Sequence, residues 1–453
     1  MRNIALYIPE IKNSLKQKNY DELHEILDHI ESVDLVDGWE EFSERERLGL
    51  FNILSFERKV EIFERLSFED QKEIIEGLTS QPLAKILNEM ASDERVDLFD
   101  RLSNEEVNKL FSLMKEQEVD DVKELLEYDE QSAGGKMTTE YVTVNPEMTA
   151  REALVDLQKK VNSKKVKKVY AAYEIDKQGN LIGVISLQKL ISSNPEEKIE
   201  NLAKPIENIK VNVNQDQEEV ARLFTHYDLL SAPVVDNDGK LRGVITIDDI
   251  VDVIHQEATE DIAKMAGTES EELLSKSVFK IFKIRWPWLF ASWIGGLVAL
   301  SIIGLYEDTM MQVIAVAAFI PVIMGMGGNI GVQSSTIVVR GLALGKVDLS
   351  KIKSTVLKEI KVGLALGISY GLLLGIIAHF KYGKAQKIAP ISIVAGAGIC
   401  LSMTIAATLG AVLPLIFKKL NIDPAVATGP IVTTTIDIVG LSIYFALAAI
   451  ILV

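Results

Sequence analysis

Residues 424–453 read PAVATGPIVTTTIDIVGLSIYFALAAIILV, an apolar run without Lys or Arg and with a single carboxylate, Asp437. A helix needs about 20 apolar residues to cross a hydrocarbon core of roughly 30 Å, so this run predicts a membrane span. Four more runs free of Lys and Arg precede it: Trp286–Tyr306, Thr309–Val339, Val362–Phe380 and Ile388–Phe417. The links between them set the direction. Lys276, Lys280, Lys283 and Arg285 precede the first span. Arg340, Lys346, Lys351, Lys353, Lys358 and Lys361 follow the second, and Lys418 and Lys419 follow the fourth. The opposite side offers only Lys381, Lys384 and Lys387. Basic residues favour the cytosolic side, so the N-terminus is expected inside and, after five spans, the C-terminus outside.

The remainder of the chain belongs to a different solvent. Of 453 residues 48% are hydrophobic and 25% charged, with 65 acidic against 48 basic side chains and a formal charge of −17. Residues 276–453 hold 15 Lys/Arg and 6 Asp/Glu, or +9; residues 1–275 hold 33 and 59, or −26. This split excludes a single soluble domain. The acidic half would repel phosphate, which argues against nucleic acid as a partner. Cys400 is the one cysteine and lies in an apolar run, so no intrachain disulfide or thiolate metal site is available. Five histidines are too few for a zinc cluster. The opening MRNIALYIPEIKNSLKQKNYDEL lacks the apolar core of a signal peptide, and the acidic half is expected to stay in the cytosol.

Two textures divide that half. From Leu54 a motif recurs every twelve residues: Leu54-Ser-Phe-Glu, Leu66-Ser-Phe-Glu, Leu78-Thr-Ser-Gln, Met90-Ala-Ser-Asp and Leu102-Ser-Asn-Glu. Each unit pairs an apolar residue with a cap-type residue and a helical stretch. A lone helix of this kind cannot bury its apolar face, so successive ones are expected to stack as a solenoid over residues 1–130. From Met137 the pattern turns to strands. Asn180-Leu-Ile-Gly-Val-Ile-Ser recurs as Lys240-Leu-Arg-Gly-Val-Ile-Thr sixty residues on, each copy after a Gly-containing turn. This predicts a tandem α/β repeat.

Asp437 is the sharpest functional signal. It lies 13 residues beyond Pro424, roughly 20 Å along a helix and near the bilayer centre. A carboxylate there must face water, a partner or an ion, and no Lys or Arg lies in any expected span. A cation pathway fits; so does a protonated Asp bonded to Thr433, Thr434 or Thr435. The stretch Pro321–Gln333, with Gly325, Gly327, Gly328, Gly331 and Asn329, also has two readings. It opens a helix so that carbonyls line a cavity, or it lets two helices pack closely. In the cytosolic half Asp248, Asp249, Asp252, Glu257, Glu260 and Asp261 crowd fourteen positions, with no Lys or Arg between Val244 and Ile262. Like charges three or four residues apart repel unless water or cations screen them. Asp93 and Asp97 are likewise four apart.

Ser231-Ala-Pro-Val-Val-Asp-Asn-Asp-Gly-Lys-Leu-Arg-Gly-Val-Ile-Thr-Ile-Asp-Asp-Ile resembles a CBS domain, and residues 137–258 resemble a CBS pair. With the flanking parts, the chain resembles the MgtE family of magnesium channels. The likeness rests on residues 128–142 (YDEQSAGGKMTTEYV), 325–335 (GMGGNIGVQSS) and 423–430 (DPAVATGP) running on to Asp437-Ile-Val-Gly. The resemblance implies a multi-domain α-helical membrane protein. Its parts would be a helical solenoid (1–130), CBS domains at 131–199 and 200–258, an acidic connecting (plug) helix at 259–285, and five transmembrane helices in 286–453. It further implies a homodimer in the lipid of a prokaryotic inner (plasma) membrane, not an enzyme, that admits Mg2+ down its gradient. Mg2+ held between the cytosolic domains would keep the pore closed. The pore site falls on Asp437. The cytosolic ligands fall on Asp93, Asp97, Asp216, Asp249, Asp252, Glu257, Glu260 and Asp261, with Glu61, Glu218 and Asp228 beside them. CBS pairs often hold adenine nucleotides, and Thr246 with Asp248 resembles the pattern that grips a ribose, which makes ATP a candidate regulatory ligand. Those two residues equally serve to cap the helix that begins near Asp248. A lone Asp accepts Mn2+ or Co2+ in the same geometry, so a transporter or exchanger of another divalent ion is the competing reading.

Overall fold

The computed structural model describes residues 4–162, 166–275, 277–347, 352–384 and 390–452. Lys381 and Lys384 fall within these ranges, whereas Lys276, Lys351 and Lys387, used above for orientation, lie outside the described residues. The chain forms two compact units, Met1–Val251 and Asp252–Val453.

The first unit opens with helices α1 (Ile8–Gln17), α2 (Tyr20–Asp28), α3 (Ser32–Asp37) and α4 (Glu44–Ile53). The twelve-residue repeat then gives α5 (Phe56–Arg65), α6 (Phe68–Gly77), α7 (Ser80–Glu89), α8 (Ser92–Asp100) and α9 (Asn104–Phe111), followed by α10 (Glu116–Leu125). The repeated pair has a division of labour. Leu54, Leu66, Leu78 and Met90 close one helix in extended conformation. The next residue, when serine, starts the following one: Ser55, Ser67 and Ser103 accept from the amides of Arg58, Asp70 and Glu106. The helices bury Ile62, Phe63, Ile74, Ile86, Leu87, Leu98 and Phe99 between them, which no single helix could do alone.

The α/β repeat follows. Strand β1 (Thr143–Val144), α11 (Ala150–Asn162), β2 (Ala171–Ile175), β3 (Leu181–Ser186), α12 (Leu187–Ser192) and α13 (Ile199–Leu202) make the first copy. Strand β4 (Val211–Asn212), α14 (Gln217–Tyr227), β5 (Ser231–Val235), β6 (Leu241–Thr246) and α15 (Ile247–Ala266) make the second. Each copy has a three-stranded sheet, one parallel pair and one antiparallel hairpin. The register repeats with the sequence: Ala171 faces Ser186, and Ser231 faces Thr246. Gly179 (φ +88°) and Gly239 (φ +83°) supply the left-handed residue that each hairpin turn requires. Helix α15 does not stop near Val253 but continues as one helix to Ala266. The stretch expected as a connecting helix over 259–285 is therefore three pieces: the end of α15, a 3-10 turn at Ser270–Leu274 and the start of the first long apolar helix.

Among its described residues the second unit carries five helices long and apolar enough to cross a membrane. They are α16 (Val278–Leu305), α18 (Ile320–Ala343, extended by a 3-10 turn from Ile314), α19 (Ile352–Ala378), α20 (Ile391–Lys419) and α21 (Gly429–Leu452, led in by a turn from Pro424). A short α17 (Glu307–Gln312) links the first two. Helix α20 is the most buried and packs against α18, α19 and α21, while α16 packs on α21. The rings of Trp286, Phe290 and Trp293 stack at 4.8 and 5.7 Å on the exposed side of α16.

Helix α18 runs unbroken through Gly325–Gly331, so the opened-helix reading of that stretch does not hold; Gly327 and Gly331 serve packing, while Gly325 and Gly328 face open space. A Cβ on Gly331 would fall 1.9 Å from Ile436 Cδ1 on α21, and one on Gly410 of α20 would fall 2.3 Å from the Gly331 carbonyl oxygen. Three apolar helices can meet this closely only where side chains are missing.

Candidate functional site

In the first unit, α8 carries Asp93 and Glu94 in its first turn, and its leading residue, Ala91, donates its amide to Glu64 Oε1 of α5 at 2.7 Å. The segment after Thr138 brings Glu140, and the start of α15 brings Asp248 and Asp249. Burial pushes the Asp93 carboxyl up to about 7, and Asp249 and Glu140 add to the push. Burial also lifts Glu94 to about 8, aided by Asp93, Glu64, Asp97 and Asp249. Asp249 rises for the same first reason, with the Thr246 hydroxyl opposing, and Glu140 rises against the pull of Lys167. Asp97 has an exposed side chain, yet its carboxyl is crowded enough to rise as well. Asp93 Oδ1 is buried with no hydrogen-bond partner. An acid-rich seam of this kind, with an orphaned oxygen, is costly as a bare carboxylate assembly.

Two lysines enter the seam. Lys167 Nζ lies 2.9 Å from Glu64 Oε1, and Lys168 pairs with Asp248. Thr246 Oγ1 sits 2.5 Å from Asp248 Oδ1 and 2.7 Å from Asp249 Oδ2, so the expected Thr246–Asp248 pair is together, within the capping contacts of α15. Among the described residues no three His, Cys, Asp or Glu side chains already form a metal cage. The seam instead suits a hard divalent ion that keeps most of its waters and takes one or two carboxylates.

The other expected ligands divide. Glu61 accepts from Ser32 Oγ at 2.7 Å and lines a pocket of about 390 Å³ with Glu57, Glu64, Glu89 and Lys167. Asp216 caps α14 through the Glu218 amide at 2.9 Å, Glu218 pairs with Arg222 at 2.6 Å, and Asp228 ends α14 in left-handed conformation. In the second unit Asp252, Glu257, Glu260 and Asp261 ride on α15. Glu260 pairs with Lys264, whose ammonium also lies 2.6 Å from Asp423 Oδ2; burial opposes the charge, but the two carboxylates hold it well above the usual lysine range. Asp423 in turn caps the lead-in to α21 through the Ala425 amide at 2.8 Å. Gly429 lets the chain pass there, since a Cβ would lie 2.8 Å from the Met265 carbonyl oxygen.

Asp437 is half-buried on α21. Thr433 and Thr435 spend their hydroxyl protons on the carbonyls of Gly429, Pro430 and Ile431, so neither donates to it. Among the described residues no hydrogen bond or ion pair engages Asp437. Sequence reasoning named one carboxylate in the apolar helices, and the structure adds Glu359, 8% exposed on α19 and accepting from Ser334 Oγ at 2.8 Å. It also missed Glu64, Glu94, Glu140, Lys167 and Lys168. The run Lys164-Lys-Val-Lys-Lys was visible in an acidic half, whereas Glu64 carries no local signal.

Comparison with known proteins follows the same division. Residues 320–447 match a family model described as divalent cation transporter, MgtE; residues 30–131 match the MgtE intracellular N domain; residues 133–195 and 201–256 each match a CBS domain. The magnesium transporter MgtE of Thermus thermophilus is 36% identical over 333 residues, 73% of this chain and 72% of that one. That of Bacillus subtilis is 36% identical over 327 residues, 72% and 71%. A crystal structure of the soluble part of a magnesium transporter is similar over 56% of this chain and 99% of its own, with TM-score 0.52 and 31% identity. The cytosolic domain of the Mg2+ channel MgtE in complex with ATP is similar over 54% and 98%, with TM-score 0.51 and 32% identity.

Proposed function

We propose a mechanism on the premise that this chain belongs to the MgtE family of magnesium transporters: it carries Mg2+ across the membrane as an ion channel, inward and down the electrochemical gradient. The observation that carries this reading is the unpaired carboxylate of Asp437 on an apolar helix. A group so placed is a liability in a merely structural span and an asset in a cation path. Two copies related by a twofold axis would bring two such carboxylates together, enough for an ion that sheds few waters. The membrane potential suffices as a driving force, at roughly 4.6 kcal/mol for a divalent ion crossing 100 mV.

The acidic seam supports a second role for the same ion. Mg2+ bound at Asp93, Asp249 and their neighbours, and at Asp97, Asp216, Asp252, Glu257, Glu260, Asp261, Glu61, Glu218 and Asp228 as the family pattern implies, would hold the cytosolic parts in the closed arrangement. Loss of the ions would leave repulsion and release it. ATP at Thr246 and Asp248 is the matching proposal for a regulatory nucleotide, supported by the ATP complex of a similar cytosolic domain. Uptake into proteoliposomes, with Mg2+ and Ca2+ gradients in parallel, tests the pore. Asp437→Ala is expected to abolish Mg2+ uptake; wild-type flux in that variant overturns the assignment, and equal wild-type flux of Mn2+ or Co2+ would favour a broader divalent carrier.

A further inference from the structure

The seam carries its own cations, and one of them sits where an arriving metal has to act. Lys168 pairs with Asp248, and its ammonium also feels Asp249 and Asp93. Thr246 Oγ1 touches both Asp248 and Asp249 and has one proton, and Asp249 also accepts from the Thr246 amide at 3.4 Å, so Thr246 can serve Asp249 with both of its donors. Asp248 is the carboxylate that Lys168 pairs with. We propose that Lys168 is a resident counter-ion of the seam, seated on Asp248 until Mg2+ displaces it, and that it thereby sets the Mg2+ concentration at which the seam fills. The inference rests on the reading of the seam as a regulatory Mg2+ site.

Three features make displacement the natural behaviour. The Lys168 side chain is 57% exposed, so its ammonium can withdraw into water without leaving a buried charge. Lysine is a point charge on a flexible stem and offers no bidentate geometry that would resist a divalent competitor. Asp93 Oδ1 across the seam remains buried and unbonded with the lysine in place, so Lys168 neutralises the seam only in part and leaves an acceptor for a second cation. Lys167 on Glu64 is anchored differently: Glu64 also takes the Ala91 amide and so helps fix the start of α8. Lys168 is therefore the displaceable one.

If Mg2+ must evict Lys168, the ion pair weakens apparent metal binding by its own strength, roughly two- to five-fold for a pair this exposed. Mg2+ binding to the full-length dimer or monomer in detergent, followed by equilibrium dialysis, reads that factor directly. Lys168→Gln is expected to bind half-maximally at roughly two- to five-fold lower Mg2+ than wild type, Lys168→Arg, whose fork can grip Asp248 bidentately, at Mg2+ no lower than wild type, and Lys210→Gln, which removes an exposed charge paired with Glu207, unchanged. Equal midpoints for Lys168→Gln and wild type, or equal shifts in Lys168→Gln and Lys210→Gln, overturn the proposal. Mg2+-dependent closure of flux, measured on the same variants, separates the two claims. A binding shift without closure would refute the regulatory reading and keep the counter-ion, whereas closure with no binding shift would do the reverse.

Discussion

Asp93 shows how much of the seam is decided by one carboxyl. Its Oδ1 has no partner, and burial holds its proton to about pH 7, with Glu94 beside it held to about pH 8. A carboxyl raised in this way is neutral below about pH 4 in folded and unfolded chains alike, and then adds no ionisation cost to folding. As pH rises through 4 to 8 the unfolded chain ionises first, and the metal-free fold loses stability across that window. Without Mg2+, the protein is therefore expected to resist protease better at pH 5.5 than at pH 8, and millimolar Mg2+ at pH 8 is expected to restore resistance. Resistance that rises with pH in chelator would contradict the unpaired-carboxylate picture. At this scale the sequence exposes some of the chemistry and hides the rest. Asp93 and Asp249 belong to spaced acidic patterns that repel, which can be read directly. The pair of Lys168 with Asp248 joins positions eighty residues apart, and no local pattern announces it.

Among elements, the apolar helices were legible as runs and not as lengths. The third span was expected from Val362, because Lys361 and Lys358 interrupt the run; the helix nevertheless begins at Ile352. Long basic side chains can follow an apolar helix to the interface with their stems buried, so a lysine ends a hydropathy run without ending a helix. That extension is also why Glu359 went unnoticed. Glycine spacing had the opposite problem, since pattern alone could not choose between an opened helix and a tight crossing. The structure permits a contrast. A methyl on Gly410 meets the Gly331 backbone, which has nowhere to go, while Gly325 has nothing within 4 Å of its would-be Cβ. Gly410→Ala is expected to destabilise the protein in detergent by about 1–3 kcal/mol, and Gly325→Ala to leave it within about 0.5 kcal/mol. Thermal or denaturant unfolding of the two variants checks this; equal effects would mean that the crossing of α18 and α20 is not tight.

For the whole molecule, the formal −17 conceals a −26 half and a +9 half. The +9 is concentrated at the ends of five apolar helices, where it favours one orientation in the membrane. The −26 is more than a solubilising coat, because part of it sits at Asp93, Glu94, Glu140 and Asp249, where burial favours neutralisation by a proton or by a cation. Both the division into parts and the acidic excess could be read from residue order, since each part has its own period: twelve for the solenoid, sixty for the α/β repeat and long apolar runs for the spans. Which acids lie together could not, because that depends on how α5, α8, the segment at Glu140 and the start of α15 meet within one unit. The central claim is that Mg2+ is both cargo and closing ligand. It is tested most directly by measuring Mg2+ flux through the full-length protein in a planar bilayer or patch at fixed voltage, with cytosolic-side Mg2+ stepped from about 0.1 to 10 mM. Flux that opens at the low end and shuts off over that range is the expected result; flux that stays constant or grows with cytosolic Mg2+ would contradict it.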